Sequence, residues 1–439
     1  MFGRLSIALC LISSGFTALA ADVSTFYVGK GQLLFQRSTN IPSQYPSLPF
    51  LFRAQAFDLS NSASPVSLEL PVTHLRIALF DPSYPWPMWH FDDRIASISS
   101  LNNNYRSGTY NFWFNQWPRP PTNFDLNFPS DTFPPPLRVS NFSEAQSIDS
   151  SNDFTLTWDG PAGARAMDLI TFSVESSTGT VFSTSSILGR GNALSGMETS
   201  VLIPANTLPR ARTLVGLLTY TRVVGTNYSH SDAAGYSGWF SQTDFPIRTL
   251  GSGDSEPPVV VSTEPPQGAA NIPQDAPLRF IFNKPMRGGS TYMSVGFTNW
   301  VSSSFSADKR VFTLTGTNLW KANSAPLVLL NPAHHSFFYF GDLNGNVLLP
   351  EPMGIFNIGT GTLGTNIPAP LIDPPATAGT NLTIAVHGQS FRRYGLERGS
   401  KLGTAGWTEV QSTYSTNGTA RFIEPASASN GFYRATIRP

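Results

Sequence analysis

Short apolar runs recur along the chain, each closed off by Pro, Gly, Ser, Thr or Asn, and this punctuation constrains the fold more than any motif does. Proline and glycine number 36 each. A proline inside a helix removes a hydrogen bond and costs about 3 kcal/mol, so long helices are excluded and strands joined by turns remain. Aromatic residues make up 12% of the 439 residues, too many for a disordered chain. The sequence predicts an all-β protein with roughly two to four separate cores, since the chain is too long for one ordinary domain.

Residues 1–20 read as a secretory signal peptide: Arg4 supplies the positive start, Leu5 to Ile12 the apolar stretch, and Ala18-Leu19-Ala20 the small-residue pattern before a cut at Ala21. The apolar stretch is shorter than the roughly 20 residues of a membrane-spanning helix, so no integral span is expected after cleavage. Cys10 is the single cysteine and lies inside this segment, which leaves the mature chain without disulfides. The expected location is secreted or cell-surface.

Residues 21–136 form an aromatic- and Pro-rich β module, with strand candidates at Phe26-Tyr27-Val28, Leu33-Leu34-Phe35, 50–57 and 75–80. The segment 84–93 holds too many prolines for a central strand and is expected as an exposed loop or an edge. Thr132 to Pro136 reads as an extended linker. In residues 137–250 the alternation of Phe154 to Trp158 predicts a half-buried strand with Trp158 inside, and strand spacing throughout suggests a fibronectin/Ig-like sandwich. Gly251 to Pro257 has the composition of a flexible linker.

Residues 257–365 open with the apolar run Val259-Val260-Val261, a turn at Pro265 to Gly268, and a strand Leu278 to Phe282 in which Phe280 and Phe282 share a face. The pieces Glu264-Pro265-Pro266, Asn271 to Pro277, Phe280 to Met286 and Gly341 to Asn346 resemble the start and the late Asp/Gly/Asn turn of the bacterial SbsA Ig-like, or Big_5, domain. That resemblance implies an Ig-like accessory domain of a secreted or surface protein, without catalytic activity of its own. Residues 370–439 form a small C-terminal β module. Tyr394-Gly395-Leu396-Glu397, Trp407-Thr408 and Phe432-Tyr433-Arg434 are similar to C-terminal modules of large secreted bacterial proteins. Asn417-Gly418 is expected as a hairpin turn. The whole reads as several consecutive Ig-like or fibronectin-like β-sandwich modules.

Basic and acidic residues balance at 28 each without a basic block, which removes the electrostatic support for nucleic-acid binding. The six histidines, His74, His90, His230, His334, His335 and His387, lack metal-binding spacing, so neither a metal nor a cofactor is expected. Asp342 to Asn346 looks superficially like a calcium loop, but position 353 is Met where the bidentate Glu belongs, and a turn is the preferred reading. Gly235 to Gly238 lacks the nucleophile-elbow pattern. Adjacent Asp92 and Asp93 are expected in an exposed polar loop rather than as a glycosidase pair.

The remaining candidates are Trp86, Trp89, Trp113 and Trp117, whose flat rings could stack on sugars or simply fill a core. The expected function is that of an exported, non-catalytic, multi-domain surface, adhesion or matrix protein, with polysaccharide or cell-envelope components as partners. The alternative is a carbohydrate-binding or carbohydrate-active protein working through the aromatic N-terminal module.

Overall fold

The computed structural model describes residues 23–58, 66–79, 88–114, 122–185, 192–230, 233–289, 291–293, 301–316, 320–331, 339–360, 362–363, 369–400, 406–425 and 431–438. The signal segment lies outside them. Among the described residues nearly all regular structure is β-strand, and the one α-helix is the short Ile98–Asn104. Contacts divide the chain into two compact units: one holds residues up to 31, 50–133 and 222–240, and the other holds 32–49, 134–221 and 241–439.

The first unit encloses an aromatic core between strands of two sheets. One sheet has the order Arg76–Ala78, Val66–Glu69, Gly108–Phe114, Thr122–Phe128. In Gly108–Phe114 the side chains alternate: Tyr110, Phe112 and Phe114 are fully buried while Asn111 and Trp113 between them are not. From the other sheet, Phe50–Asp58 sends Phe52, Ala54 and Ala56 into the same core and pairs antiparallel with Met88–Ile95. The helix begins at Ser97, whose hydroxyl accepts the Ser100 amide at 3.1 Å. It buries Leu101 and stops at Tyr105, whose ring lies flat on Phe52 with centroids 3.8 Å apart. Phe26 and Trp239 join this core from distant parts of the chain.

The second unit contains three main apolar clusters in chain order. The first spans Leu137 to Ile247 and includes Trp158, which is buried as expected and donates its indole N–H to the Glu198 carbonyl at 3.0 Å. Its strand Leu169–Ser176 pairs with the strand that starts at Thr213, in register from Leu169↔Thr221 to Glu175↔Val215. Gly216 permits this, because a Cβ there would lie 2.5 Å from the Phe245 ring.

The second cluster holds Leu278, Phe280 and Phe282, fully buried on one face of their strand while Arg279 and Ile281 are only half-buried. This strand sits inside a four-stranded sheet of order Val260–Glu264, Leu278–Phe282, Val311–Gly316, Val301–Phe305. Phe356 meets Phe280 edge-on at 6.0 Å. A small contact of Val215, Tyr339 and Val347 joins the first cluster's strand to this module.

The third cluster packs Ile384, Val386, Tyr394, Leu396, Ala420 and Phe422 between two sheets. Asn417-Gly418 is not a hairpin turn. The strand before it, Thr408–Ser415, pairs with Arg392–Gly399, whereas the strand after it, Thr419–Pro425, pairs with Asn381–His387 in the other sheet. Gly418, at φ +83°, supplies the turn conformation either connection needs, so the dipeptide alone cannot say which sheet receives the next strand. The terminal strand Phe432–Arg438 completes its sheet against Arg392–Gly399.

Candidate functional site

Of the four tryptophans singled out for stacking, Trp86 and Trp117 lie outside the described residues. The other two do not share a face. Trp89 sits opposite Ala56 and packs its partly buried ring against the core of the first unit. Trp113 sits on the other sheet, opposite Ser67, on the face turned away from that core. Its indole N–H donates to Glu69 Oε2 at 3.2 Å, and the Arg76 guanidinium stacks 3.9 Å from the ring centroid. Glu69 also accepts from His74 and Arg76. The His74 contact contributes most to holding the Glu69 carboxyl below its usual pKa, with Arg76 and Trp113 adding to it. Trp113 is therefore the face of a small charged cluster.

Asp92 and Asp93 were expected in an exposed loop, and the structure corrects this. Both lie within the strand Met88–Ile95. Successive residues of a strand face opposite sides, so the two carboxylates point apart. Asp92 takes two 3.1 Å hydrogen bonds from Arg53, in a fork-like pair that is almost wholly buried. Asp93 accepts the Tyr105 hydroxyl at 2.8 Å, and burial pushes its pKa up. Burial likewise lowers the pKa of neighbouring His90. A divergent couple, Asp92 ion-paired and Asp93 bonded to a tyrosine, is poor material for paired acid–base work. Ser237, in the Gly235 to Gly238 stretch, is buried in a strand and donates to the Asn127 carbonyl at 2.6 Å.

Sequence reasoning missed a charge in the first unit's core. Lys30 is 1% exposed, donates to Asn102 Oδ1 at 3.1 Å, and lies 5.3 Å and 5.1 Å from the Phe128 and Trp239 ring centroids. Burial lowers its pKa to about 8. The signal was present in the sequence, since Phe26, Val28 and Lys30 fall on one face of an alternating strand.

Residues 251–257 were expected as a flexible linker, yet they are fastened down. Lys284 Nζ reaches both Asp254 carboxylate oxygens at 2.9 and 2.7 Å, the Glu256 carbonyl at 2.6 Å and Asp342 Oδ2 at 3.4 Å. Asn346 donates to the Asp254 carbonyl at 2.9 Å and to Asp342 Oδ2 at 2.9 Å. Thr213 of the preceding sandwich donates its hydroxyl to the Ser255 carbonyl and its amide to Asn346 Oδ1. The Lys284 hydrogen bond is the main cause of a lowered Asp254 pKa. The loop 342–346 makes the bonds of a turn: the Asn346 amide donates to Asp342 Oδ1, the Gly345 amide to the Asp342 carbonyl, and Gly345 has φ +92°. An ammonium group faces the carboxylate of the calcium-like loop. Among the described residues no group of three or more His, Cys, Asp or Glu is placed to hold a metal ion. His334 and His335 lie outside the described residues.

The clasp of Asp254, Lys284, Asp342 and Asn346 falls within one segment that has a family match. Residues 254–346 are similar to the bacterial Ig-like domain, Big_5. The likeness read from Pro265, Phe280 and the Asp342 turn thus stands for this part of the chain. No curated protein matches the chain.

Among solved structures, similar chains include the eight N-terminal Ig domains of Down Syndrome Cell Adhesion Molecule, at 10% identity, TM-score 0.19, and 91% and 68% of the two chains covered. A tetra-tandem repeat from the extending region of a large adhesion protein follows at 8% identity, TM-score 0.16, and 93% and 90% coverage. Domains 1–6 of the surface layer protein SbsC align at 9% identity, TM-score 0.16, and 94% and 66% coverage. Likeness this remote carries no argument about what this chain binds.

Proposed function

We propose that this is an exported, non-catalytic protein of the cell surface or extracellular matrix, built from β modules at 21–136, 137–250, 257–365 and 370–439 behind a signal peptide at 1–20. The observation that carries this reading is the clasp, which fixes the Big_5 segment to the preceding sandwich through Thr213, Asp254, Lys284, Asp342 and Asn346. A linker with such fastening sets the spacing and angle of successive modules, which serves a protein whose work is to present surfaces. The polar groups weighed for catalysis support the reading too: Ser237, Asp92 and Asp93 are each engaged in holding the fold. Purified protein should leave a panel of polysaccharides and peptides intact. Hydrolysis abolished by one point substitution would overturn the proposal.

One observation favours a second reading, sugar binding by the aromatic N-terminal module. Trp113 lies on an outward sheet face, already stacked by a cation and flanked by Glu69 as a hydrogen-bond acceptor. Retention on an insoluble polysaccharide, lost in Trp113→Ala, would support it at Trp113. Failure to bind any glycan through that module would remove it.

A further inference from the structure

The second unit carries a cleft of about 460 Å³ between the 176–178 turn, the 206–212 segment and the 342–346 turn. Its volume falls within the ~300–1,000 Å³ usual for ligand sites. Two guanidinium groups line it, Arg212 and Arg287, and neither forms an ion pair among the described residues. The nearby carboxylates Asp254 and Asp342 are turned to Lys284 instead.

Arg212 is held in position rather than free to wander. Its Nη1 donates to the Ala211 carbonyl at 2.8 Å, and its Nε lies 3.2 Å from where a Cβ on Gly345 would be. The same glycine that allows the 342–346 turn therefore leaves room for the arginine. Beside it, the Asn206 side-chain amide and the Thr207 hydroxyl have no hydrogen-bond partner among the described residues. Leu343 stands half-exposed on the rim.

We propose that this cleft binds an acidic polysaccharide, with Arg212 and Arg287 pairing with its carboxylates and Asn206 and Thr207 with its hydroxyls. Planar guanidinium forks match carboxylates. Uncommitted amide and hydroxyl groups suit a ligand rich in hydroxyls, and an exposed leucine suits the C–H face of a sugar ring. The cleft belongs to the second unit and Trp89 and Trp113 to the first, so the proposal stands without export and without sugar binding there.

The test titrates the full chain with polygalacturonate, dextran sulfate and neutral dextran by calorimetry, beside Arg212→Gln and Arg287→Gln variants whose folding is checked by thermal melting. Polygalacturonate should bind and neutral dextran should not. Each substitution should weaken polygalacturonate binding roughly tenfold, the loss expected for one charge-assisted contact, and added salt should weaken it further. Absence of polygalacturonate binding, preference for dextran sulfate, equal binding of neutral dextran, or folded variants that bind as well as the parent would each overturn the assignment.

Discussion

The N-terminal aromatic sandwich and the Big_5 segment place their charged side chains differently: among the described residues, only the first sets a lysine among aromatic rings with an amide as its hydrogen-bond partner. In the first, Lys30, Asp93 and the Arg53–Asp92 pair are buried within or against the sheets. In the second, the core of Phe280, Phe282, Phe312, Phe340 and Phe356 is apolar, and the buried carboxylates Glu264 and Asp342 are paired with Arg393 and Lys284, the latter in the clasp. Burying a charge is costly unless it is paired or solvated. The Big_5 segment thus draws stability from packing and uses its charges to fix a junction. The first unit gives up part of its packing stability to hold charges inside.

The largest expected effect tests the apolar side of this contrast. Phe280 is fully buried against Phe312 and Phe356, so Phe280→Ala should lower unfolding free energy by about 3–5 kcal/mol in urea titration. A loss under about 1 kcal/mol would mean that this core is loosely packed.

Next comes the clasp. Lys284→Met leaves the nearly buried Asp342 carboxylate without its cation, and a loss of about 3 kcal/mol is expected. The double variant with Asp342→Asn should recover part of it, and failure to recover would show that the two residues act independently.

Lys30 tests the other sandwich. Its folded pKa is depressed to about 8 from an ordinary 10.5, so between these values the unfolded chain binds the proton more tightly and stability rises with pH. Below about pH 8 the buried ammonium destabilises the fold, by about 3 kcal/mol. Burial pushes the Tyr110 and Tyr236 phenols upward, which lowers stability at still higher pH. The difference between parent and Lys30→Met isolates the lysine: the variant should be the more stable near pH 7, and its advantage should shrink by pH 9.5 or so. An advantage that stays constant with pH would show that the lysine does not titrate there.

The smallest effect belongs to Trp113. Because its ring lies on the outer face, Trp113→Ala should cost about 1 kcal/mol or less, chiefly the lost Arg76 stack.

The same contrast explains what the sequence could reveal. Alternation exposed the Phe280 strand and the buried Trp158, because period-two patterning encodes which side is inside. The clasp was hidden, since Gly251 to Pro257 has linker composition and its restraints come from Thr213, Lys284 and Asn346 far along the chain. Asp92 and Asp93 were misplaced for a similar reason: Arg53 and Tyr105 are the partners that make their burial tolerable. The Arg212 and Arg287 cleft brings together residues 176–212 and 287–345, a juxtaposition no local pattern could show.

Surface labelling of intact cells, followed by N-terminal sequencing of the labelled chain, tests the central claim most directly. The expected result is a labelled protein that begins at Ala21. A chain that begins at Met1 and stays shielded from the label until the cells are broken would contradict it.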